Sequence, residues 1–245
     1  MKKNNKGSKK RSKVVDLTKD FQVVPDIHTV RNSVKPRTDN QKDYIKLITD
    51  NTITFCQGPA GSGKTHIAIG MGLEYLLNDK TPIKKIIITR PVLEAGEKIG
   101  YLPGTAEEKL HPYLLPILDE IHHFISPAQY ASLRLNNKIE VIPLGLMRGR
   151  NFHQSFIVAD ECQNASYDQL QMLLTRIGQD SKMVLTGDAA QSDLGKHLRG
   201  GFVDIIMALD NLQGVGISQL RTTDIVRNPI IAQILGRLSD YENRK

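Results

Sequence analysis

Apolar positions along the chain fall into two alternating rhythms. Short runs rich in β-branched and other apolar residues occur at Thr52–Cys56, Lys84–Thr89, Lys138–Ile142, Ser155–Ala159, Lys182–Thr186 and Val215–Gln219, and these predict strands. The run at Lys84–Thr89 is nearly continuous and stops sharply at Arg90-Pro91, as a strand buried on both faces does. Helical spacing marks Asp39–Asp50, with Tyr44, Ile45 and Ile48 on one face, and then Lys64–Leu77, Tyr167–Ile177, Phe202–Leu212 and Pro229–Leu238. The capping box Thr105-Ala106-Glu107-Glu108 starts a helix running to about Ile125. Pro112 and Pro116 are expected to bend or divide it. Ser126-Pro127 opens another short helix. Strands that alternate with helices imply an α/β fold, a mostly parallel sheet with helices on both faces. The economical reading is one domain over residues 39–245 with a helical insertion near 91–137. An irregular lead-in at 21–38, containing Pro25 and Pro36, and a tail at 1–20 precede it.

Composition refines this picture in one place. The hydrophobic share of 40% and charged share of 24% are those of a globular domain, and an aromatic share of 5% argues against an aromatic stacking surface for nucleic acid. The net charge of +7 sits on the tail. Lys2, Lys3, Lys6, Lys9, Lys10, Arg11 and Lys13 leave 26 basic against 26 acidic residues in the remainder. Such a tail is either an arm that contacts phosphates or a solvated terminus, and composition leaves both readings open. Cys56 and Cys162 lie in no metal-ligand spacing, so they read as buried thiols of a reducing cytoplasm. No run approaches the ~18 apolar residues of a membrane span, and no apolar run follows the basic start as in a signal peptide.

The chemistry lies between the elements. Gly58-Pro59-Ala60-Gly61-Ser62-Gly63-Lys64-Thr65 stands between a predicted strand and a predicted helix and satisfies the phosphate-loop pattern. Glycines let backbone N–H groups close around phosphate oxygens, and the helix start adds its positive end. Lys64 is expected on the β and γ phosphates and the Thr65 hydroxyl on Mg2+. Phe156-Ile157-Val158-Ala159 is a buried strand ending in Asp160-Glu161. Asp160 suits the Mg2+ shell, and Glu161 suits a general base for the attacking water. A third strand ends in Gly187-Asp188-Ala189-Ala190-Gln191. There the Gln191 amide can touch the γ-phosphate or the lytic water, whereas Asp188 reads somewhat more readily as a turn former than as a catalytic group. The expected cofactors are ATP and Mg2+.

Several further motifs follow in order: RPVLEAGEKIGYLPG at 90–104, LMRGRNF at 146–152, VADECQNA at 158–165, TGDAAQSDL at 186–194 and DIVRNP at 224–229. With the phosphate loop they resemble the PhoH-like family of P-loop ATPases over roughly residues 38–240. The resemblance implies a RecA-like core related to one motor domain of superfamily 1 helicases. It implies ATP hydrolysis, coupling to RNA or DNA, Gln41 as a reader of adenine, Gln191 as the γ-phosphate sensor and Arg227 as an arginine finger or sensor. Two positions depart from the family pattern. Cys162 stands for the usual Ala, a harmless exchange of small residues, and Asn228 stands for the usual His, which leaves the part played by Arg227 open. Arg90 is expected on a nucleic-acid backbone, as the equivalent segment of helicases is.

Arg148 and Arg150 either clamp phosphates or form ion pairs at a sheet edge. His111, His122 and His123 lack metal spacing and read as solvated or core histidines. A lone RecA-like domain lacks the partner that completes its cleft, so a homo-oligomer with Arg227 supplied by a neighbour is expected. Two functions remain open: an ATPase coupled to single-stranded RNA or DNA, and an ATP-dependent switch or phosphotransfer protein without nucleic acid.

Overall fold

The computed structural model describes residues 29–91, 106–189 and 201–226, together with residues 230, 233, 234, 237 and 241, and for 106–113 the backbone alone. Six strands, β1 (Ile53–Gln57), β2 (Lys85–Arg90), β3 (Ile139–Pro143), β4 (Ser155–Ala159), β5 (Lys182–Gly187) and β6 (Val215–Gln219), form one sheet in the order β3-β2-β4-β5-β1-β6. Every pairing is parallel. The helices are α1 (Asp39–Asp50), α2 (Lys64–Leu77), α3 (Ala106–Phe124), α4 (Pro127–Leu135), α5 (Tyr167–Leu174) and α6 (Phe202–Ala208).

Alternating side chains on each central strand serve two separate cores. Ile86, Ile88, Phe156, Val158 and Val184 pack with Tyr44, Ile48, Ile67, Leu73 and Phe124 of α1, α2 and α3. Phe55, Ile87, Ile157, Met183 and Leu185 point the other way, onto Leu170, Leu173, Phe202 and Ile205 of α5 and α6. A strand covered on both faces has no polar side, which is why these segments read as continuous apolar runs.

Three predicted elements change. The helix α3 runs unbroken through Pro112 and Pro116. Each interior proline costs about 3 kcal/mol. Ile117, Ile121 and Phe124 are fully buried from the same helix, and burial contributes about 1.5–3 kcal/mol for each such side chain. Packing therefore offsets the prolines. The α5 helix stops at Leu174, short of Ile177. Ile177 instead forms a parallel bridge with Phe152, and Gly178 N–H donates to the Phe152 carbonyl at 2.8 Å. The α6 helix stops at Ala208, short of Leu212. The Leu212 carbonyl accepts the N–H of Val215 at 3.0 Å, in the turn that opens β6.

Residues 29–38 contain no helix or strand, yet they are tied down. Arg31 N–H donates to the Phe124 carbonyl at 2.7 Å, and Val34 N–H to Glu74 Oε1 at 2.7 Å. Thr38 caps α1 by accepting from Gln41 N–H at 3.3 Å. At the other end of α1, Lys182 Nζ donates to the carbonyls of Ile48, Thr49 and Asn51 at 2.7–2.9 Å. The basic tail lies outside the described residues.

The two readings of Arg150 separate here. Its guanidinium holds Glu140 of the edge strand β3 through two bonds of 2.5 and 2.9 Å, and Lys85 Nζ meets the same carboxylate at 2.5 Å. Arg150 is a sheet-edge ion pair, and Arg148 beside it is exposed. Hydrogen bonding to Arg150, then to Lys85, holds the Glu140 carboxyl at about 2 against burial. No helix among the described residues is long and apolar enough to cross a membrane.

Candidate nucleotide site

Parallel strands bring all their C-terminal ends to one edge, where open α/β sheets bind ligands. The loop from β1 to α2 lies there. Gly63 closes it at φ +91°, a left-handed conformation, and a Cβ at that point would sit 3.0 Å from Gln41 Nε2. Gly58 opens it, where a Cβ would meet the Leu220 carbonyl oxygen at 2.7 Å. Neither position admits a side chain without movement. Lys64 Nζ lies across the loop and donates to the carbonyls of Gly58 at 2.7 Å and Pro59 at 2.9 Å. The first turn of α2 therefore presents free backbone N–H groups, the helix dipole and an ammonium to one point.

The end of β4 supplies the acids. Asp160 is 5% exposed, and its Oδ1 accepts from Thr65 Oγ1 at 2.5 Å and from Thr186 Oγ1 at 2.6 Å. Thr65 and Asp160, 95 residues apart in sequence, thus stand together as the expected metal pair. Both offer oxygen, the donor type that hard divalent cations take. Glu161 turns the chain with φ +55° and ψ +39°, a conformation costing about 1–2 kcal/mol for a residue other than glycine. Its Oε2 accepts from Gln163 Nε2 at 2.5 Å, and its Oε1 lies 3.5 Å from the Arg90 guanidinium. Arg90 therefore faces Glu161 from the end of β2.

A cavity of about 310 Å³ opens on this edge, lined by Lys35, Arg37, Gln41, Lys64, Thr65 and Glu161 among others. Gln41 is buried in its wall. Its Nε2 donates to the Ser62 carbonyl and its Oε1 accepts from Arg37 N–H, both at 2.8 Å. One hydrogen and one lone pair of the amide are left over. On another wall His66 Nδ1 meets Glu120 Oε2 at 2.9 Å. His122 and His123 make ring contacts with Tyr130 and His66, and the side chain of His111 lies outside the described residues.

Both cysteines are buried and free. Burial pushes the Cys56 thiol up to about 12 despite the nearby Lys64 ammonium. Burial, then the Asp160 and Glu161 charges, pushes Cys162 up as well. They are neutral packing groups, and among the described residues no cluster of His, Cys, Asp and Glu could hold a metal ion.

Gln191 and Arg227 lie outside the described residues. Sequence reasoning passed over Thr186 and Gln163. The available signals were a lone hydroxyl closing the apolar run Met183-Val184-Leu185 and an amide two residues past the acid pair.

A wholly parallel sheet, a phosphate loop after β1 and an acid pair after β4, with β5 between them, define a P-loop NTPase fold of RecA-like topology. The family described as PhoH-like protein matches residues 33–239, and the chain belongs to that family. A PhoH-like protein of Synechocystis is 41% identical over 210 residues, covering 86% of this chain and 63% of that one. A PhoH-like protein of Bacillus subtilis is 39% identical over 203 residues, covering 83% and 63%. Protein PhoH of Escherichia coli K12 is 34% identical over 201 residues, covering 81% and 56%. The chain spans about three fifths of the length of the curated relatives it matches. Among solved structures, the Pif1 helicase from Candida albicans superposes with a TM-score of 0.38 at 15% identity, over 77% of this chain and 41% of that one.

Proposed function

We propose that this chain hydrolyses ATP at the Gly58–Thr65 loop and couples hydrolysis to single-stranded RNA or DNA. The observation that carries the first half is that Lys64, Thr65 and Glu161 line one cavity, with Asp160 bonded to Thr65 beside it. In this reading Lys64 leaves the Gly58 and Pro59 carbonyls for the β and γ phosphates, exchanging neutral acceptors for anionic ones. Thr65 and Asp160 hold Mg2+, which when bound neutralises charge on the transferring phosphoryl group. Glu161 orients the attacking water and accepts its proton. The remaining hydrogen and lone pair of Gln41 match the adenine edge. Gln191 reads the γ-phosphate, and Arg227 enters from a neighbouring copy in a homo-oligomer. The two buried, unpaired thiols fit a cytoplasmic setting. In this reading Arg90, at the end of β2 and 3.5 Å from the Glu161 carboxylate, links a polymer bound at that edge to the base.

Lys64→Ala should abolish ATP binding, whereas Glu161→Gln should bind ATP and lose turnover about 10²–10⁴-fold. A Glu161→Gln protein that hydrolyses ATP at the wild-type rate refutes the assignment of the base. Coupling is read from ATPase rates with and without single-stranded RNA and DNA, repeated with residues 1–13 removed. Rates indifferent to both polymers would make the chain an ATP-dependent switch or phosphotransfer protein instead. A strict monomer in gel filtration with ATP that turns over normally would exclude the neighbour's arginine.

A further inference from the structure

We propose that Gln163 is a positioning residue that aims the Glu161 carboxylate and ties it to the segment leaving β5. This deepens the reading of Glu161 as the group that orients water, and it rests on that reading.

Gln163 is 7% exposed and sits in the 3-10 turn Cys162–Asn164. Its amide spans two partners of opposite character. The Nε2 donates to Glu161 Oε2 at 2.5 Å, and the Oε1 accepts from Asp188 N–H at 3.0 Å. An ionised carboxylate only accepts and a backbone N–H only donates, so the amide has one workable orientation. The other described group near the Glu161 carboxylate, Arg90, stands 3.5 Å away, where attraction is Coulombic and weakly directional. The directional bond on the base is therefore the one from Gln163.

The far end of that amide matters equally. Asp188 follows directly on β5, whose Thr186 hydroxyl donates to Asp160 at 2.6 Å. One short stretch of chain thus touches both acids, Asp160 directly and Glu161 through Gln163. The same stretch leads toward Gln191, the residue expected at the γ-phosphate. The end of β5 is thereby linked to the base by two hydrogen bonds through one amide. A displacement of about 1 Å in a reacting group lowers rates on the order of 10²-fold.

The test uses the full chain. Gln163→Met keeps length and volume and removes the bonds to Glu161 and to Asp188 N–H. Gln163→Asn keeps the amide without adding charge, and its shorter side chain cannot span both partners. Both variants should lower kcat about 100-fold, with KM and the Kd for MgATP within about threefold of wild type and Tm little changed. In the double variant with Glu161→Gln, the Gln163 change should have no further effect, because a residue that acts through another loses its influence when that other is gone. Should Gln163→Met fail to fold, Gln163→Asn and its double variant decide the matter. The proposal is overturned if kcat stays at wild type, if kcat falls only in step with Tm and MgATP affinity, or if the two substitutions add. The outcomes separate from those of the parent reading. An inert Glu161→Gln beside a fully active Gln163→Met removes only the positioning role, whereas an active Glu161→Gln, or a wild-type chain without ATPase activity, removes both.

Discussion

Thr186→Val isolates one bond beneath the acid pair. Thr186 is fully buried, and its hydroxyl donates to Asp160 Oδ1 at 2.6 Å. Valine has the same shape and lacks the donor. A hydrogen bond to a charged group contributes about 1.5–3 kcal/mol, and the extra buried methyl returns up to about 0.8 kcal/mol. The net loss is about 1–2 kcal/mol, because Thr65 still serves the same oxygen at 2.5 Å. For a domain of this size each kcal/mol lowers Tm by about 2–4 °C, so the midpoint should fall by about 2–8 °C. The assay is thermal unfolding by circular dichroism at neutral pH without nucleotide, with Thr186→Ser as the control that keeps the donor. MgATP affinity, from equilibrium titration, should weaken in the valine variant because Asp160 has lost half of what orients it. A valine variant melting with wild type while the serine variant melts lower would show that the methyl, and not the hydroxyl, matters. The account of Asp160 would then be wrong.

Two other features give sharp expectations. Glu140 is held at about 2, below its ordinary 4.5, so its stabilisation is present above pH 4.5 and is lost as pH falls toward 2. Solvent around the partly exposed Arg150 reduces the effect to about 1 kcal/mol. Glu140→Gln should therefore flatten the stability loss between pH 4.5 and 2 in urea titrations, and an unchanged slope would count against the pair. Gly58→Ala places a Cβ against the Leu220 backbone and should destabilise by about 1–3 kcal/mol. Phosphate-loop closure and ATP affinity should suffer with it, and wild-type values for both would show that Leu220 yields freely.

Much of the fold was legible because burial is written into the strands. Ile86-Ile87-Ile88 and Phe156-Ile157-Val158 face cores on both sides, and continuous apolar runs have few other uses. The prolines of α3 misled because propensity is local, whereas Ile117, Ile121 and Phe124 draw their stabilisation from a core assembled by α1, α2 and the sheet. Arg150 was undecided for the same reason: its partner Glu140 lies ten residues back on another element.

The site divides along the same line. By itself the sequence determined the phosphate loop and the Asp160-Glu161 pair, since each is contiguous and its spacing follows from a backbone that must wrap phosphate or end a buried strand. Tertiary structure alone decided which groups hold them. Parallel strands bring their C-terminal ends to one edge, so Thr65, Asp160 and Thr186 share one oxygen, and Glu161, Gln163 and Asp188 share one amide. Pairwise register within a sheet sets those distances, and no local pattern along the chain encodes them.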